Sequence, residues 1–297
     1  MSFAILPPEL LDAIFEPLPT STLAAVSTTC SSFTASADRH LYRHISLSSH
    51  ARNLSAVYTL AAQPHLSSLV RTFSLDTDET EAHEFYVALQ RALSQMRGLT
   101  SLELNVGISE SWLLRDASCG ETTRPYPHLQ NFATSLIVDP NVFSFLLRTP
   151  SLLSLQLSSS VSHTDVSALQ LPTEAIPKLS SYTGPASLLR HLSPRPLTTL
   201  LLSDDLTIED VDYLRPAPRA PSQSAVTCGN GEDGCASPPT DVQVLSAITS
   251  APPALMIEAL AEACPHLTCL RVMTTCAFWE APDLVSSIES FHRHSQD

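Results

Sequence analysis

Apolar and polar residues alternate in short stretches along most of the chain, and these stretches share the phrase Leu-x-x-Leu-x-Leu. Four clear copies begin at Leu99, Leu152, Leu197 and Leu267. Three weaker copies begin at Leu69, Leu129 and Leu179. A period of two places every second side chain on the same face of an extended strand. Because neighbouring copies are mostly about 20 to 30 residues apart, each predicts a strand that pairs edge-on with the next copy.

Segments with helical spacing of apolar residues lie between the predicted strands, at 82–96, 140–148, 186–193 and 242–263. Prolines that precede strands, such as Pro127, Pro150 and Pro265, end the helices and set the turn back to the sheet. The pattern therefore predicts an α/β fold, an irregular repeat solenoid with parallel strands inside and helices outside. A generic α/β domain is the alternative.

The first 47 residues follow a helical pattern instead. Pro7 and Pro8 suit a helix's first turn, where the amide that proline lacks would have no intrahelical partner. Glu9 adds negative charge where the helix dipole favours it, and Pro17 and Pro19 end the helix. Its apolar residues form one broad stripe that comprises Leu10, Leu11, Ile14, Phe15 and Leu18.

A second helix is predicted after Pro19, with Thr20 or Ser21 as its N-cap. Its apolar face comprises Leu23, Val26, Cys30 and Phe33. Helices this short cannot bury their own stripes, because a domain of fewer than about 40 residues is marginal alone. The stripes must pack on the rest of the chain or on another protein.

This N-terminal segment, residues 1–47, resembles an F-box. The resemblance is carried by Leu6-Pro7-Pro8-Glu9-Leu10-Leu11, by Ile14-Phe15 and Leu18, by the spaced Cys30 and Phe33, and by Leu41-Tyr42-Arg43-His44-Ile45. Phe33 stands where many F-boxes have Trp. An ordinary helical cap on a larger domain is the alternative.

The resemblance implies a partner, the Skp-type adaptor of a cullin-RING ubiquitin ligase, and through it a cullin. It also implies that a set of apolar residues divides between adaptor contact and internal packing: Leu6, Pro7, Leu10, Ile14, Phe15, Leu18 and Val26. The sequence does not decide which way each of them faces.

Residues 48–297 look like the degenerate leucine-rich repeats of fungal F-box proteins, which implies a concave sheet surface that binds a protein substrate. The middle outward position of each clear strand would face that substrate, at Glu103, Gln156, Leu201 and Arg271. Residues 215–240 do not follow the repeat pattern. Pro, Ser, Gly and acidic residues dominate there, and this composition predicts a flexible insertion.

Composition narrows the function classes. The 297 residues carry a formal net charge of −14, which disfavours nucleic acid and anionic lipid as partners. We find neither a signal peptide nor an apolar run of about 18 residues, so we expect a cytoplasmic or nuclear protein without a membrane anchor. The seven cysteines, odd in number and irregularly spaced, are expected to be mostly reduced thiols.

Candidate chemistry is weak throughout. Residues 229–234 match the spacing of a dinucleotide-binding loop but lack its flanking strand and helix. Two groups of cysteines lack the spacing of zinc ligands: Cys228 with Cys235, and Cys264 with Cys269 and Cys276. A redox-labile pair of Cys228 and Cys235 across the loop is the alternative for the first group. Acidic clusters at 76–81 and 204–212 are expected to be solvated helix starts.

With no catalytic motif found, we expect no enzyme activity, no cofactor and no metal. The sequence thus predicts a substrate-recognition subunit of an SCF-type ubiquitin ligase. The first alternative is a repeat scaffold for protein interactions whose F-box has degenerated and has no ligase role. The second is an enzyme with an unrecognised site.

Overall fold

The structure is a computed structural model that describes residues 6–77, 81–115, 126–158, 171–172, 175–215 and 241–274. The chain divides into two compact units, residues 1–150 and residues 151–297. Among the residues that are described, no helix combines the length and apolar character needed to cross a membrane.

The first unit begins with three helices, α1 (Pro8–Phe15), α2 (Thr20–Ser27) and α3 (Ser31–Leu41). Four strands follow, each parallel to the next: β1 (His44–Ser48), β2 (Thr72–Asp76), β3 (Ser101–Asn105) and β4 (Asn131–Thr134). The connecting helices are α4 (Ala56–Ala62), α5 (Pro64–Ser67), α6 (His83–Gln95), a 3-10 helix (Glu110–Leu114) and, after β4, α7 (Pro140–Leu146).

The second unit contains five further strands with parallel pairing: β5 (Ser154–Leu157), β6 (Ser181–Gly184), β7 (Thr199–Asp205), β8 (Val244–Thr249) and β9 (Cys269–Thr274). A 3-10 helix (Ala186–Leu188) runs into α8 (Leu189–Leu192) before β7. The helices α9 (Ile208–Asp212) and α10 (Pro253–Ala263) follow β7 and β8.

Alternation along the strands separates a buried face from an outward face in each unit. Phe73 and Leu75 of β2, like Leu102 and Leu104 of β3, are almost fully buried, whereas Glu103 between the last two is exposed. The mixed α/β class and the parallel strands predicted from the sequence are therefore confirmed. All seven predicted copies coincide with strands, namely β2 to β7 and β9.

Most strands begin with the same hydrogen bonds to the preceding strand. The Arg71 carbonyl accepts from the backbone N–H groups of both Thr100 and Ser101, and the Thr100 hydroxyl donates to it at 3.0 Å. Ser180, Thr198 and Thr268 repeat this hydroxyl bond at 2.9 to 3.2 Å. In these four copies the hydroxyl residue after the first Leu of the phrase thus helps to fix where one strand starts against the next.

Two of the strands, β1 and β8, were not predicted. The segment 242–263, expected to be one helix, forms strand β8 and then α10, which begins where Pro252 and Pro253 set the first turn. Leu245 and Ala247 of β8 are buried while Val244, Ser246 and Ile248 are half-buried, the alternation of a strand. Pairing with β7 and β9 on both sides outweighs the helical spacing of the apolar residues.

Candidate functional site

Helix α1 divides the predicted apolar stripe into a buried and an exposed half. Pro7 occupies the N-cap position with extended backbone, Pro8 is the first helical residue, and Glu9 lies in the first turn as predicted. Leu11 and Phe15 are 4% and 5% exposed, whereas Leu10 and Ile14 are 52% and 48% exposed. Residues four apart lie one above the other on a helix, so each pair forms one side of α1.

The buried half of α1 joins a small core with α2 and α3. Leu11, Phe15, Leu23 and Ala37 form its centre, and residues that pack partly buried around it are Leu6, Leu18, Val26, Phe33 and Leu41. The rings of Phe15 and Phe33 meet edge to face, with centroids 5.7 Å apart and planes at 89°. Such a pair adds about 0.5–1.5 kcal/mol beyond its buried area, so Phe33 serves the core where many F-boxes have Trp.

The predicted second helix is in fact two helices. Helix α2 ends at Ser27, and Cys30, with extended backbone, is the N-cap of α3. The Thr28 and Thr29 hydroxyls donate to the carbonyls of Ala25 and Val26, bonds that close the end of α2. The prediction of a Thr20 or Ser21 N-cap is wrong as well, because Pro19 holds that position without a side-chain hydrogen bond.

A bidentate ion pair ties α1 to α3. The Arg39 guanidinium donates to Asp12 Oδ1 at 2.8 Å and to Oδ2 at 3.0 and 3.2 Å, and it also donates to the Ser36 hydroxyl. Burial alone would raise the pKa of Asp12, but hydrogen bonds from Arg39 and Ser36 and the charges of Arg39 and His40 lower it overall. The sequence analysis missed this pair, since 27 residues separate its members and no short motif joins them.

The structure thus assigns a side to each residue that the F-box resemblance implicated. Leu6, Phe15, Leu18 and Val26 belong to the core or its rim, and Pro7, Leu10 and Ile14 are exposed. Pro17, which was not predicted, is exposed as well and continues the 7, 10, 14 spacing. A surface of Pro7, Leu10, Ile14 and Pro17, here termed the α1 apolar surface, is therefore available to a partner.

The four residues proposed for substrate contact all lie exposed on the outward faces of strands. Gln156, Leu201 and Arg271 belong to one register row of the second unit, which Thr183 and Ser246 complete. Glu103 lies in the first unit, where the Ser74 hydroxyl donates to its carboxylate at 2.9 Å. Three of the four thus share one row that crosses five strands, and Glu103 belongs to the other unit.

The acidic clusters have structural roles where they are described. Thr207 and Asp210 form a capping box at the start of α9, as expected for a helix start. Asp204 accepts from the Ala186 N–H, and Asp205 accepts from the Ser250 N–H at 2.6 Å and hydroxyl at 2.5 Å. In the cluster at 76–81, Asp76 accepts from the Asn105 amide at 2.5 Å, and residues 78–80 lie outside the described residues.

The other predicted features fall largely outside the description, namely residues 216–240 with the glycine-rich loop and its two cysteines, and Cys276. Cys264 is buried, which raises the pKa of its thiol to about 12, and Cys269 is exposed. Across the described ranges, no three His, Cys, Asp or Glu side chains are grouped as a metal site would need.

Comparison with known families identifies the N-terminal helices. The F-box-like family model matches residues 3–48, a range that contains α1, α2 and α3 and ends with β1. The resemblance found in the sequence is confirmed for this segment, which indicates a role in F-box-mediated protein interaction. F-box domains generally bind Skp-type adaptors. A search of curated proteins with this chain found no match.

Proposed function

We propose that this protein is the substrate-recognition subunit of an SCF-type cullin-RING ubiquitin ligase. Its F-box-like domain binds a Skp-type adaptor, and its repeats bind a protein substrate. The observation that carries the proposal is the α1 apolar surface, because Leu10 and Ile14 are half exposed within a segment that matches the F-box-like family.

The exposure of Leu10 and Ile14 has a cost that a partner would remove. Full burial of a Leu or Ile side chain contributes roughly 1.5–3 kcal/mol, so covering the exposed half of each contributes about 1 kcal/mol. The side chains lie on consecutive turns of a helix whose other side is fixed in the core. The surface is therefore held in place before binding, which lowers the entropy cost of association.

The rest of the proposal follows from the strand–helix units. We interpret them as degenerate leucine-rich repeats of a solenoid, whose outward strand faces hold the substrate through residues such as Glu103, Gln156, Leu201 and Arg271. Ubiquitin transfer is the task of other subunits, so this chain needs no catalytic residue and no cofactor. The odd and irregularly spaced cysteines suit a reducing compartment, the cytoplasm or the nucleus.

Co-purification of the full chain with a Skp-type adaptor tests the adaptor half of the proposal. The double variant Leu10→Asp and Ile14→Asp should lose the adaptor, because two carboxylates would then have to be desolvated at the interface. Leu255→Asp is the matched control, since Leu255 on α10 is 51% exposed and lies far from α1 in the sequence. Circular dichroism should report the same helix content for all three proteins.

The outcomes separate the proposal from its alternatives. Loss of the adaptor in the α1 double variant alone supports adaptor binding through the α1 apolar surface. A well-folded wild-type chain that fails to bind would overturn the proposal and favour a repeat scaffold with a degenerate F-box. A catalytic activity that persists after removal of residues 1–47 would favour an enzyme with an unrecognised site instead.

A further inference from the structure

The strands of the second unit carry few charged residues, although the protein has a net charge of −14. Strands β5, β6, β8 and β9 contain one charged residue, Arg271. The two carboxylates of β7 lie at the strand's end, where hydrogen bonds from Ala186 and Ser250 hold Asp204 and Asp205. Depletion of charge is a property of the central part of protein–protein interfaces.

Arg271 is the exception on this face, and its charge is available to a partner. Its side chain is exposed on β9, and it takes part in none of the ion pairs between residues that the structure describes. Within the described strands no carboxylate lies beside it, since β8 and β9 contain none and Asp205 lies two strands away in the row of Ile248. Arginine is enriched among the residues that dominate binding energy at interfaces.

Several apolar residues lie on the same face of the strands as Arg271. Met273, two residues further along β9, is 54% exposed, and Leu201 in the register row of Arg271 is 40% exposed. Val244 and Ile248 of the neighbouring strand are half-buried on either side of Ser246. Adjacent strands lie about 4.8 Å apart, so these residues form one patch, the β9 patch. A partner that covers this patch would exclude water from Arg271, which would strengthen a charge-assisted hydrogen bond there.

We propose that the β9 patch binds an extended substrate segment with a carboxylate side chain and aliphatic side chains two residues before and after it. This inference rests on the proposed function and names the substrate class. Residues i and i+2 of an extended peptide point to the same side, so a Glu or Asp can reach Arg271 while its aliphatic neighbours cover Met273 and the β8 residues.

The charges of the patch select a single carboxylate rather than a phosphate or an acidic tract. Phosphate-binding sites use clusters of arginines, and the patch offers one. Arginine and carboxylate pair through two parallel hydrogen bonds, for which one guanidinium is enough. A segment with many carboxylates would be repelled by the net charge of the protein.

A randomised dodecapeptide display library, panned on the full-length chain, tests this inference. The wild-type chain should enrich peptides with Asp or Glu at one position and Leu, Ile, Val or Met at two residues on either side. The Arg271→Glu chain should lose this preference and enrich Lys or Arg at the central position. Met273→Gln should keep the acidic preference and weaken the aliphatic preference on one side.

The control variant is Arg91→Glu, which makes the same charge change at an exposed arginine of α6 in the first unit. It should enrich the same peptides as the wild-type chain. Failure of the wild-type chain to enrich carboxylates, or equal enrichment by Arg271→Glu, would overturn the inference. The display experiment contains no adaptor protein. Loss of peptide selection in Arg271→Glu therefore tests this inference alone, and loss of adaptor binding in the α1 double variant tests the proposed function.

Discussion

Arg39 of α3 donates three hydrogen bonds to the carboxylate of Asp12 on α1, and this ion pair links two helices whose shared core is apolar. The ion pair lies at the edge of the core, between the core and solvent, since the side chains of Asp12 and Arg39 are 36% and 40% exposed. The pair therefore adds to the core contacts of Leu11 and Phe15 that set the rotation of α1, and with it the direction in which Leu10 and Ile14 point.

Asp12→Asn should lower the free energy of unfolding by up to about 1 kcal/mol at neutral pH, the size expected of an exposed ion pair. The pKa of Asp12 in the folded protein lies below its unfolded value of 3.8. The carboxylate therefore stabilises the fold above that value and loses this effect as pH falls through the folded pKa. Urea unfolding at pH 7 and near pH 3 measures the difference.

Asp38→Asn is the control for this pH dependence, since Asp38 also lies on α3 and contacts neither Asp12 nor Arg39 through a described hydrogen bond. It should change the stability little at either pH. A destabilisation by Asp12→Asn that is equally large near pH 3 would contradict the assignment.

The hydroxyl bond at the start of β7 predicts a difference between two adjacent threonines. The Thr198 hydroxyl donates to the Ser180 carbonyl at 3.1 Å, whereas Thr199 occupies an outward position of the strand. Thr198→Val keeps the shape but removes the bond, and should cost about 0.5–1.5 kcal/mol. Thr199→Val should stay within about 0.5 kcal/mol of the wild type. Equal effects in chemical denaturation would refute a special role for the hydroxyl.

Gly184 and Tyr182 predict a coupled pair of substitutions. Gly184 has φ +156°, and a Cβ there would lie 2.7 Å from the Tyr182 hydroxyl oxygen and 3.1 Å from the Leu157 carbonyl oxygen. The same hydroxyl donates to the Pro185 carbonyl at 2.9 Å. Gly184→Ala should therefore displace the tyrosine and cost about 1–3 kcal/mol.

Tyr182→Phe removes the hydroxyl oxygen, so the double variant should be less destabilised than the sum of the two single variants. A double-mutant cycle of thermal or urea unfolding measures this coupling. Strict additivity would show that the backbone conformation of Gly184, and not its contact with Tyr182, determines the cost.

The two described cysteines near α10 should differ in reactivity. Burial raises the pKa of the Cys264 thiol to about 12, so very little thiolate forms at pH 8, and Cys269 is exposed on β9. Iodoacetamide should modify Cys269 in the native protein and Cys264 only in denaturant. Fragment-ion mass spectrometry distinguishes the two positions, and equal native rates at both would contradict the burial of Cys264.

The sequence was informative where one local period determined the structure. Alternation located seven strands, and the spacing around Leu10 and Phe15 located α1. It failed at β8, where Leu245 and Ala247 occur in a segment that also fits a helix and only pairing with two neighbouring strands decides. It also failed between α2 and α3, where hydrogen bonds from Thr28 and Thr29 end a helix that apolar spacing would have continued.

The candidate site was predicted as a set of residues but not as a surface. Leu10 and Leu11 are adjacent and equally apolar, and only the position of α3 decides that Leu11 is buried and Leu10 is not. Likewise, strand alternation alone predicted that Arg271 points outward, but its apolar neighbours depend on the register with β7 and β8. Contacts between segments distant in sequence supplied what local patterns could not.

The hydrogen bonds at the strand starts bear on how this architecture tolerates changes in length. The Thr198 carbonyl accepts from the N–H groups of Gln243 and Val244, the same bonding that joins strands whose starts are much closer in sequence. Register is therefore set anew at the start of most strands, whatever the length of the preceding connection. Insertions between strands can accumulate during evolution, or be engineered, as long as the few residues that open each strand are kept.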